Sequence, residues 1–222
     1  FDGLYRFFRD HPSSSSPDLM SWYQDTSCND AQGNDSASDG DIDIAFALLL
    51  ADKQWGSCDA IDYKGEGLKV IAAIAAHTLD TSKSYVLLGD WVTPGSGKYY
   101  DATRSSDFIT DHFRSFGAAS GDGLWTGLND STFTMIAALR SGFSPGKGLL
   151  PDFVNSPVAA PAPVAAGFLE GDTHFRPMGK GTFLGFQTFD VACLDCGHVG
   201  TCLSEDERAE LEGQDIPSFA QV

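Results

Sequence analysis

The 222-residue sequence predicts an all-α fold, and three features of the chain carry that prediction. Apolar residues recur at helical spacing in several segments, and Gly- and Pro-rich stretches separate those segments. No stretch shows the sustained alternation of apolar and polar residues that is typical of strands. Since 42% of the residues are hydrophobic, a chain of this length can bury a substantial core. We therefore expect residues 1–222 to form one helical domain.

The charge of the chain limits its partners. The formal net charge is −17. Nucleic acids and anionic membranes attract basic surfaces, so we expect neither as a partner, whereas a neutral or cationic polymer is compatible with this charge. No uninterrupted apolar run is long enough to span a bilayer. Because no charged segment followed by an apolar one begins the chain, we expect any targeting segment to be absent or already removed.

The first predicted helix covers residues 1–12 and ends at His11-Pro12, because proline disfavours the helical conformation in the residue before it. A polar serine loop follows, and then Trp22 and Tyr23 form an aromatic pair. An indole ring can lie flat against the apolar face of a sugar ring, or it can simply fill a core. The residues alone favour the core position for Trp22.

The second predicted helix ends at Trp55 and begins with three carboxylates, Asp39, Asp41 and Asp43. Ser38 and Asp41 have the spacing of a capping box, so the carboxylates can be plain helix caps. The positive end of the helix dipole favours their ionised form and lowers their pKa, so we expect Asp39 to be an anion that accepts hydrogen bonds. A calcium loop starting at Asp35 is excluded, since its twelfth position is Phe46 instead of glutamate.

Three further helices are predicted along the chain, and the first two cover residues 67–79 and 109–116. The third is opened by residues 121–125, continues to Arg140 and is stopped by Gly142. A polar cluster precedes the second of these and contains Tyr100, Asp101, Arg104 and Asp107. This cluster can line a cleft, with the Arg104 guanidinium forked onto a carboxylate, or it can be a solvated loop with ion pairs. The Pro/Ala tract over residues 158–167 is expected to be an ordered loop inside the domain.

The chain contains five cysteines, an odd number, so at least one thiol stays unpaired if disulfides form. Cys193, Cys196, His198 and Cys202 also have a spacing that suggests a zinc site. One tight cluster that supplies all four tetrahedral ligands is sterically awkward, so we expect no metal. Nothing else in the sequence calls for a cofactor.

Residues 37–55, ASDGDIDIAFALLLADKQW, closely resemble the signature of glycoside hydrolase family 8. The segments LMSW at 19–22, LGDW at 88–91 and GLLPDF at 148–153 resemble the same family. Its members are mostly endo-β-1,4-glucanases, with chitosanases, lichenases and xylanases among them. The resemblance implies an (α/α)6 toroid, here incomplete, with a substrate cleft across one rim. It also implies inverting cleavage inside a β-1,4-linked polysaccharide, with cellulose or β-glucan as first choice and chitosan as second, by a secreted enzyme.

The resemblance assigns roles to individual residues. It implies that Asp39 binds the distorted sugar at the point of cleavage, and that Trp22 and Trp91 stack on neighbouring units. Asp190 or Asp107 would orient the attacking water. A segment that touches substrate in many family members corresponds to residues around Asp107, and it favours Asp107 over Asp101. Tyr100, Asp101 and Arg104 are the further residues expected to bind substrate.

Two departures from the family pattern qualify this assignment. Aligning Phe189-Asp190 with the family motif that carries the general base puts Cys193 where the motif has arginine. Aligning Cys193 with an alternative pattern instead leaves Val191 and Leu194 at polar positions. The family's catalytic glutamate, in a SEG-x-GYGM segment, is expected upstream of Phe1. The chain could therefore be a carbohydrate-binding, catalytically deficient fragment, or one chain of a cleaved hydrolase whose acid comes from a second polypeptide.

Overall fold

The computed structural model describes residues 1–82, 84–147, 149–165, 167–169 and 175–177. In this part of the chain five α-helices follow one another: α1 (Asp2–Asp10), α2 (Ser38–Trp55), α3 (Tyr63–His77), α4 (Thr110–Ser120) and α5 (Leu124–Phe143). Single turns of 3-10 helix cover Gly97–Tyr99 and Ser105–Asp107. Each of the five helices predicted from apolar spacing is present, and their bounds differ from the predicted ones by a few residues.

The main core lies between the helices. It contains buried residues from α1 through α5, namely Phe7, Phe8, Ile42, Ala45, Leu48, Val70, Ile71, Ile74, Phe113, Phe116, Trp125 and Leu128. Helices α2 and α3 pack closely, because Gly67 lies against Leu48 and a side chain at that position would meet the Leu48 Cβ at 3.3 Å. A second, smaller core joins α5 to the segments that follow it through Leu139 and Val154.

The start of α2 differs from the predicted capping box. Ala37 is the N-cap, and no side chain caps this helix end. The Ser38 hydroxyl instead donates to the Leu87 carbonyl at 2.6 Å, and Asp41 accepts the N–H of Met20 at 2.9 Å. These side chains therefore attach the start of α2 to two distant segments, and the capping-box prediction is wrong.

Two other helix bounds have local causes. Helix α3 begins four residues before the predicted start because Asp62 caps it, with its Oδ1 accepting the Gly65 N–H at 2.9 Å. Helix α5 continues past Gly142 to Phe143, and the N–H of Ser144 closes its last turn on the Arg140 carbonyl. A single glycine costs a helix only about 1 kcal/mol, which the packing of α5 outweighs.

Seven short strands in the described residues show that the all-α prediction holds for the core but is incomplete. They are β1 (Leu79–Asp80), β2 (Tyr85–Val86), β3 (Ala102–Arg104), β4 (Leu149–Pro151), β5 (Phe153–Asn155), β6 (Ala162–Pro163) and β7 (Phe175–Pro177). All pairs are antiparallel, as β1–β2, β3–β5–β6 and β4–β7. Strands of two or three residues are too short to show an alternating pattern. Strand β6 lies in the Pro/Ala tract.

The register of β3 and β5 matters for the site. Thr103 lies opposite Val154, and Arg104 lies opposite Phe153. The pairing therefore brings Arg104, which lies between the LGDW segment and α4, next to the end of the GLLPDF segment.

In the described part of the chain, no helix combines the length and the apolar character needed to cross a membrane.

Candidate active site

One cleft of about 270 Å³ gathers residues from several separate segments of the chain. Its lining residues are Trp22, Asp35, Ser36, Ala37, Asp39, Leu88, Trp91, Arg104, Asp107, Phe153 and Leu169. Five of the residues singled out from sequence thus lie together, although up to 85 positions separate them in the chain: Trp22, Asp39, Trp91, Arg104 and Asp107. The core position favoured for Trp22 from its residue type alone is wrong, because its side chain is 44% exposed.

Asp39 occupies the first turn of α2 at the edge of the cleft, and its Oδ1 accepts the Gly40 N–H at 3.0 Å. Burial raises the pKa of this carboxyl above its ordinary value, and the Asp43 charge adds to the rise. The Arg104 guanidinium and the Gly40 N–H act in the opposite direction. The prediction that the helix N-terminus lowers the Asp39 pKa is therefore wrong, because loss of solvent outweighs the helix end.

Asp107 ends the 3-10 turn before α4 and is 2% exposed. The Ser106 hydroxyl donates to its Oδ1 at 2.8 Å. Burial, followed by the charge of Asp39, raises the pKa of Asp107 well above its ordinary value, against the lowering effect of Ser106 and Arg104. Two carboxyls with raised pKa values, Asp39 and Asp107, thus share this cleft.

Arg104 forms the forked ion pair that its position suggested. Its Nε and Nη2 lie 3.2 and 3.3 Å from Oδ1 and Oδ2 of Asp152. Asp152 is 2% exposed, and its carbonyl also accepts the Ser105 N–H at 2.8 Å. The guanidinium carbon lies 4.6 Å from the centre of the Phe153 ring. This pair fixes the direction of Arg104 at the cleft and sets a carboxylate against its charge.

Aromatic rings form the wall behind Trp91. The Trp91 ring meets Tyr99 edge-on with centroids 5.4 Å apart, and Tyr99 meets Phe168 in the same way at 5.1 Å. Phe168 lies 5.4 Å from Phe153, which itself lines the cleft. The Trp22 ring lies against Tyr23, with centroids 5.4 Å apart. Trp91 is therefore held by a chain of rings, whereas Trp22 is the more exposed of the two indoles.

Two of the predicted binding residues lie elsewhere among the described residues. Asp101 accepts the Ser156 hydroxyl at 3.0 Å, and the Tyr100 hydroxyl faces Asp80, whose hydrogen bond raises the Tyr100 pKa. Neither residue lines the cleft, because they precede β3 and turn toward neighbouring loops. The geometry thus gives no support to a binding role for them. Asp190 and the cysteine cluster lie outside the described residues.

A further carboxyl, Asp41, is buried in the first turn of α2. Asp41 is 1% exposed, two positions beyond Asp39 on α2. Burial raises its pKa to about 8, with the charges of Asp90 and Asp39 adding to the rise. A hydrogen bond from Met20 lowers it. A pKa of about 8 favours the protonated, uncharged form of Asp41 at neutral pH.

Sequence reasoning missed several lining residues. Asp35 adds a third carboxylate, and Phe153 and Leu169 add apolar surface. Asp35 was visible only as the first position of a failed calcium pattern, and Phe153 only as the last letter of GLLPDF. In the part of the chain that the structure describes, no three His, Cys, Asp or Glu side chains are grouped so as to hold a metal ion. Cys58 there is an exposed free thiol.

Residues 1–166 match the glycosyl hydrolases family 8. The chain is 47% identical over 171 residues to a beta-glucanase from Niallia circulans, covering 77% of this chain and 41% of that protein. It is 38% identical over 164 residues to an endoglucanase from Bacillus sp. strain KSM-330, covering 73% and 34%.

The same relationship is visible in solved structures. The apo structure of a β-1,3-1,4-glucanase from Paenibacillus sp. X4 is similar to this chain with a TM-score of 0.74 at 45% identity, covering 78% of this chain and 45% of that one. The chain spans less than half the length of each of these three relatives. Because the family match covers about three quarters of its residues, the chain belongs to glycosyl hydrolase family 8.

Proposed function

We propose that this chain is part of an inverting, endo-acting glycoside hydrolase that cleaves a β-1,4-linked polysaccharide. Cellulose or mixed β-glucan is the first choice of substrate, in line with the names of the relatives, and chitosan is the second. The observation that carries the proposal is the single cleft that holds Trp22, Trp91, Asp39 and Asp107 together. Aromatic rings for stacking and carboxyls for hydrogen bonding are what recognition of a pyranose chain requires.

The chemistry divides between residues of the cleft and a group supplied from elsewhere. Inversion needs one protonated acid and one ionised base about 6.5–9.5 Å apart, with a water between the base and the sugar. In the proposal Asp39 binds the sugar at the cleavage point, and Trp22 and Trp91 stack on neighbouring units. Asp190 or Asp107 would orient the attacking water as the general base, and a raised pKa suits Asp107 to accept a proton from it.

The general acid is proposed to be a glutamate outside these 222 residues, on an upstream segment or on a second polypeptide. Among the described residues that line the cleft there are three aspartates and no glutamate. The five helices would then form part of an (α/α)6 toroid within one domain. A polysaccharide substrate that is too large to enter a cell also supports secretion.

The lack of a glutamate in the described lining favours a second candidate as well, a chain that binds β-glucan without cleaving it. Both candidate functions predict oligosaccharide binding through the two tryptophans. They differ in turnover, because losing a general acid typically costs 10²–10⁴-fold in rate.

The test compares reducing-sugar release from lichenan, carboxymethylcellulose and chitosan by the 222-residue chain and by a polypeptide extended upstream to include a glutamate. We expect little turnover from the first and strong turnover from the second, with the α-anomer as the first product seen by NMR. Equal activity of the two would place the acid inside this chain, with Asp107 as the leading group. A β-anomeric first product would contradict inversion.

A further inference from the structure

A carboxylate behind the cleft joins three segments of the chain. The Oδ1 of Asp90 accepts the backbone N–H of Ser36 at 2.7 Å. Its Oδ2 accepts hydrogen bonds from the hydroxyls of Ser13 and Ser15. Hydrogen bonds to a charged acceptor are shorter and roughly twice as strong as neutral ones. One side chain thus holds the serine loop, the segment before α2 and the loop that contains Trp91.

Both indole rings of the cleft depend on the segments that Asp90 joins. Trp91 is the next residue in the chain after Asp90. Trp22 is attached to the segment before α2, since its N–H donates to the Asp35 carbonyl at 3.0 Å and Ser21 pairs with Ser36 in an antiparallel bridge. The path from one ring to the other therefore runs through Ser36 and the carboxylate of Asp90.

The close approach at Gly89 is an independent sign that this junction is tight. A Cβ on Gly89 would collide with the Ser36 carbonyl oxygen and would come within 2.7 Å of the Trp91 Nε1. The backbones of Gly89 and Ser36 therefore touch directly, with no side chain between them. A displacement of Ser36 would therefore press directly on Gly89, two residues before Trp91.

We propose that Asp90 is a positioning residue that sets the spacing between Trp22 and Trp91, and that it thereby favours oligosaccharides long enough to contact both rings. The inference rests on the proposed function, because it takes the cleft as a binding site for a pyranose chain. Beyond that function, it predicts that binding depends on the length of the oligosaccharide. A ligand that reaches only one ring does not depend on the spacing, whereas a ligand that reaches both rings does.

The test measures the affinity of cello-oligosaccharides of two to six units by calorimetry, for the wild type and for Asp90→Asn, Asp90→Ala and the double variant Ser13→Ala/Ser15→Ala. Losing one stacking contact weakens binding about three- to tenfold, so we expect that loss for the longest ligand and little change for the disaccharide in Asp90→Ala. The Asp90→Asn variant keeps an acceptor for the Ser36 N–H, so it should lose less. The double variant leaves Ser36 paired with Asp90 and removes the serine contacts alone, so its loss for the longest ligand should also be smaller than that of Asp90→Ala.

Hydrogen exchange gives a readout that needs no ligand. In Asp90→Ala the amides of Trp22 and Ser36 are expected to exchange faster, while those inside α3 keep their protection. Unchanged exchange at both amides, unchanged affinity at every ligand length, or an equal loss at every length would each overturn the positioning role. If the wild type binds no oligosaccharide, the proposed function and the length preference both fail, and the exchange data still decide whether Asp90 holds the junction.

Discussion

Replacing Asp41 by asparagine is expected to stabilise the protein at neutral and alkaline pH. Asp41 is 1% exposed and accepts the Met20 N–H at 2.9 Å. Burial raises its pKa to about 8. An asparagine amide has nearly the same shape, and its oxygen accepts the same N–H without ever ionising. The variant therefore keeps the contact and removes the cost of ionising a buried acid.

The sign and the size follow from the two pKa values. The folded state has a pKa of about 8 at Asp41, whereas an unfolded chain has an aspartate pKa of about 3.9. The folded state thus holds a proton that the unfolded state has lost, so the stability from this group is complete below about pH 4 and is lost as the pH rises through about 8. At about 1.4 kcal/mol per pH unit, the gap corresponds to an upper limit of roughly 6 kcal/mol.

The assay is urea unfolding at pH 5, 6.5 and 8 for the wild type and Asp41→Asn, with Asp59→Asn as an exposed control for the change in charge. The free energy of unfolding of the wild type is expected to fall with rising pH, and the advantage of Asp41→Asn is expected to grow by a few kcal/mol. A difference that stays constant over this range would contradict the raised pKa, because it would show that Asp41 is ionised in the folded protein.

Three further predictions concern the cleft. Trp91→Ala is expected to weaken oligosaccharide binding roughly three- to tenfold in calorimetry, because one stacking contact is lost. Asp152→Asn is expected to lower the free energy of unfolding by roughly 3 kcal/mol in urea titrations, since it leaves the Arg104 guanidinium in a partly buried place without its carboxylate. The cleft has three carboxyls and one guanidinium that is already paired, so carboxymethylated oligosaccharides should bind more weakly than neutral ones, with a difference that shrinks as salt is added.

Matched controls exist for the first two of these. Trp55 lies at the far end of α2 and is 57% exposed, so Trp55→Ala should leave binding unchanged. Arg114 and Asp111 form an ion pair at 2.7 Å with both side chains more than 60% exposed, so Asp111→Asn should cost less than about 1 kcal/mol. If a control variant has the same effect as its cleft variant, the role assigned to Trp91 in binding or to Asp152 in stability is wrong. If the carboxymethylated ligand binds more tightly than the neutral one, the cleft does not carry the negative charge expected from its carboxyls.

Local sequence patterns were sufficient to find the helices and several of the cleft residues. Apolar spacing located α2 and α3 because their core contacts recur with the helical period. The motifs around Trp22, Asp39 and Trp91 indicated one site, and the structure does bring these three residues together. Whether they perform the roles implied by the resemblance stays a prediction.

Properties that depend on distant contacts could not be predicted in the same way. The Asp39 pKa is set by the loss of solvent under segments far away in the chain, so the helix end alone gave the wrong direction. The partner of Arg104 is Asp152, which lies 48 positions later and meets it only through the pairing of β3 and β5. Tyr100 and Asp101 share the polar cluster with Arg104 but turn away from the cleft.

The first turn of α2 has a practical consequence for engineering this protein. Asp39 and Asp41 both lose solvent on folding, and both have raised pKa values. A screen that selects only for survival after heating will enrich asparagine at either position, since sites of function are often sites of local instability. At Asp41 that change is a gain, whereas at Asp39 it removes the group proposed to hold the sugar. Such a screen therefore has to score glycan binding in the same round as heat resistance.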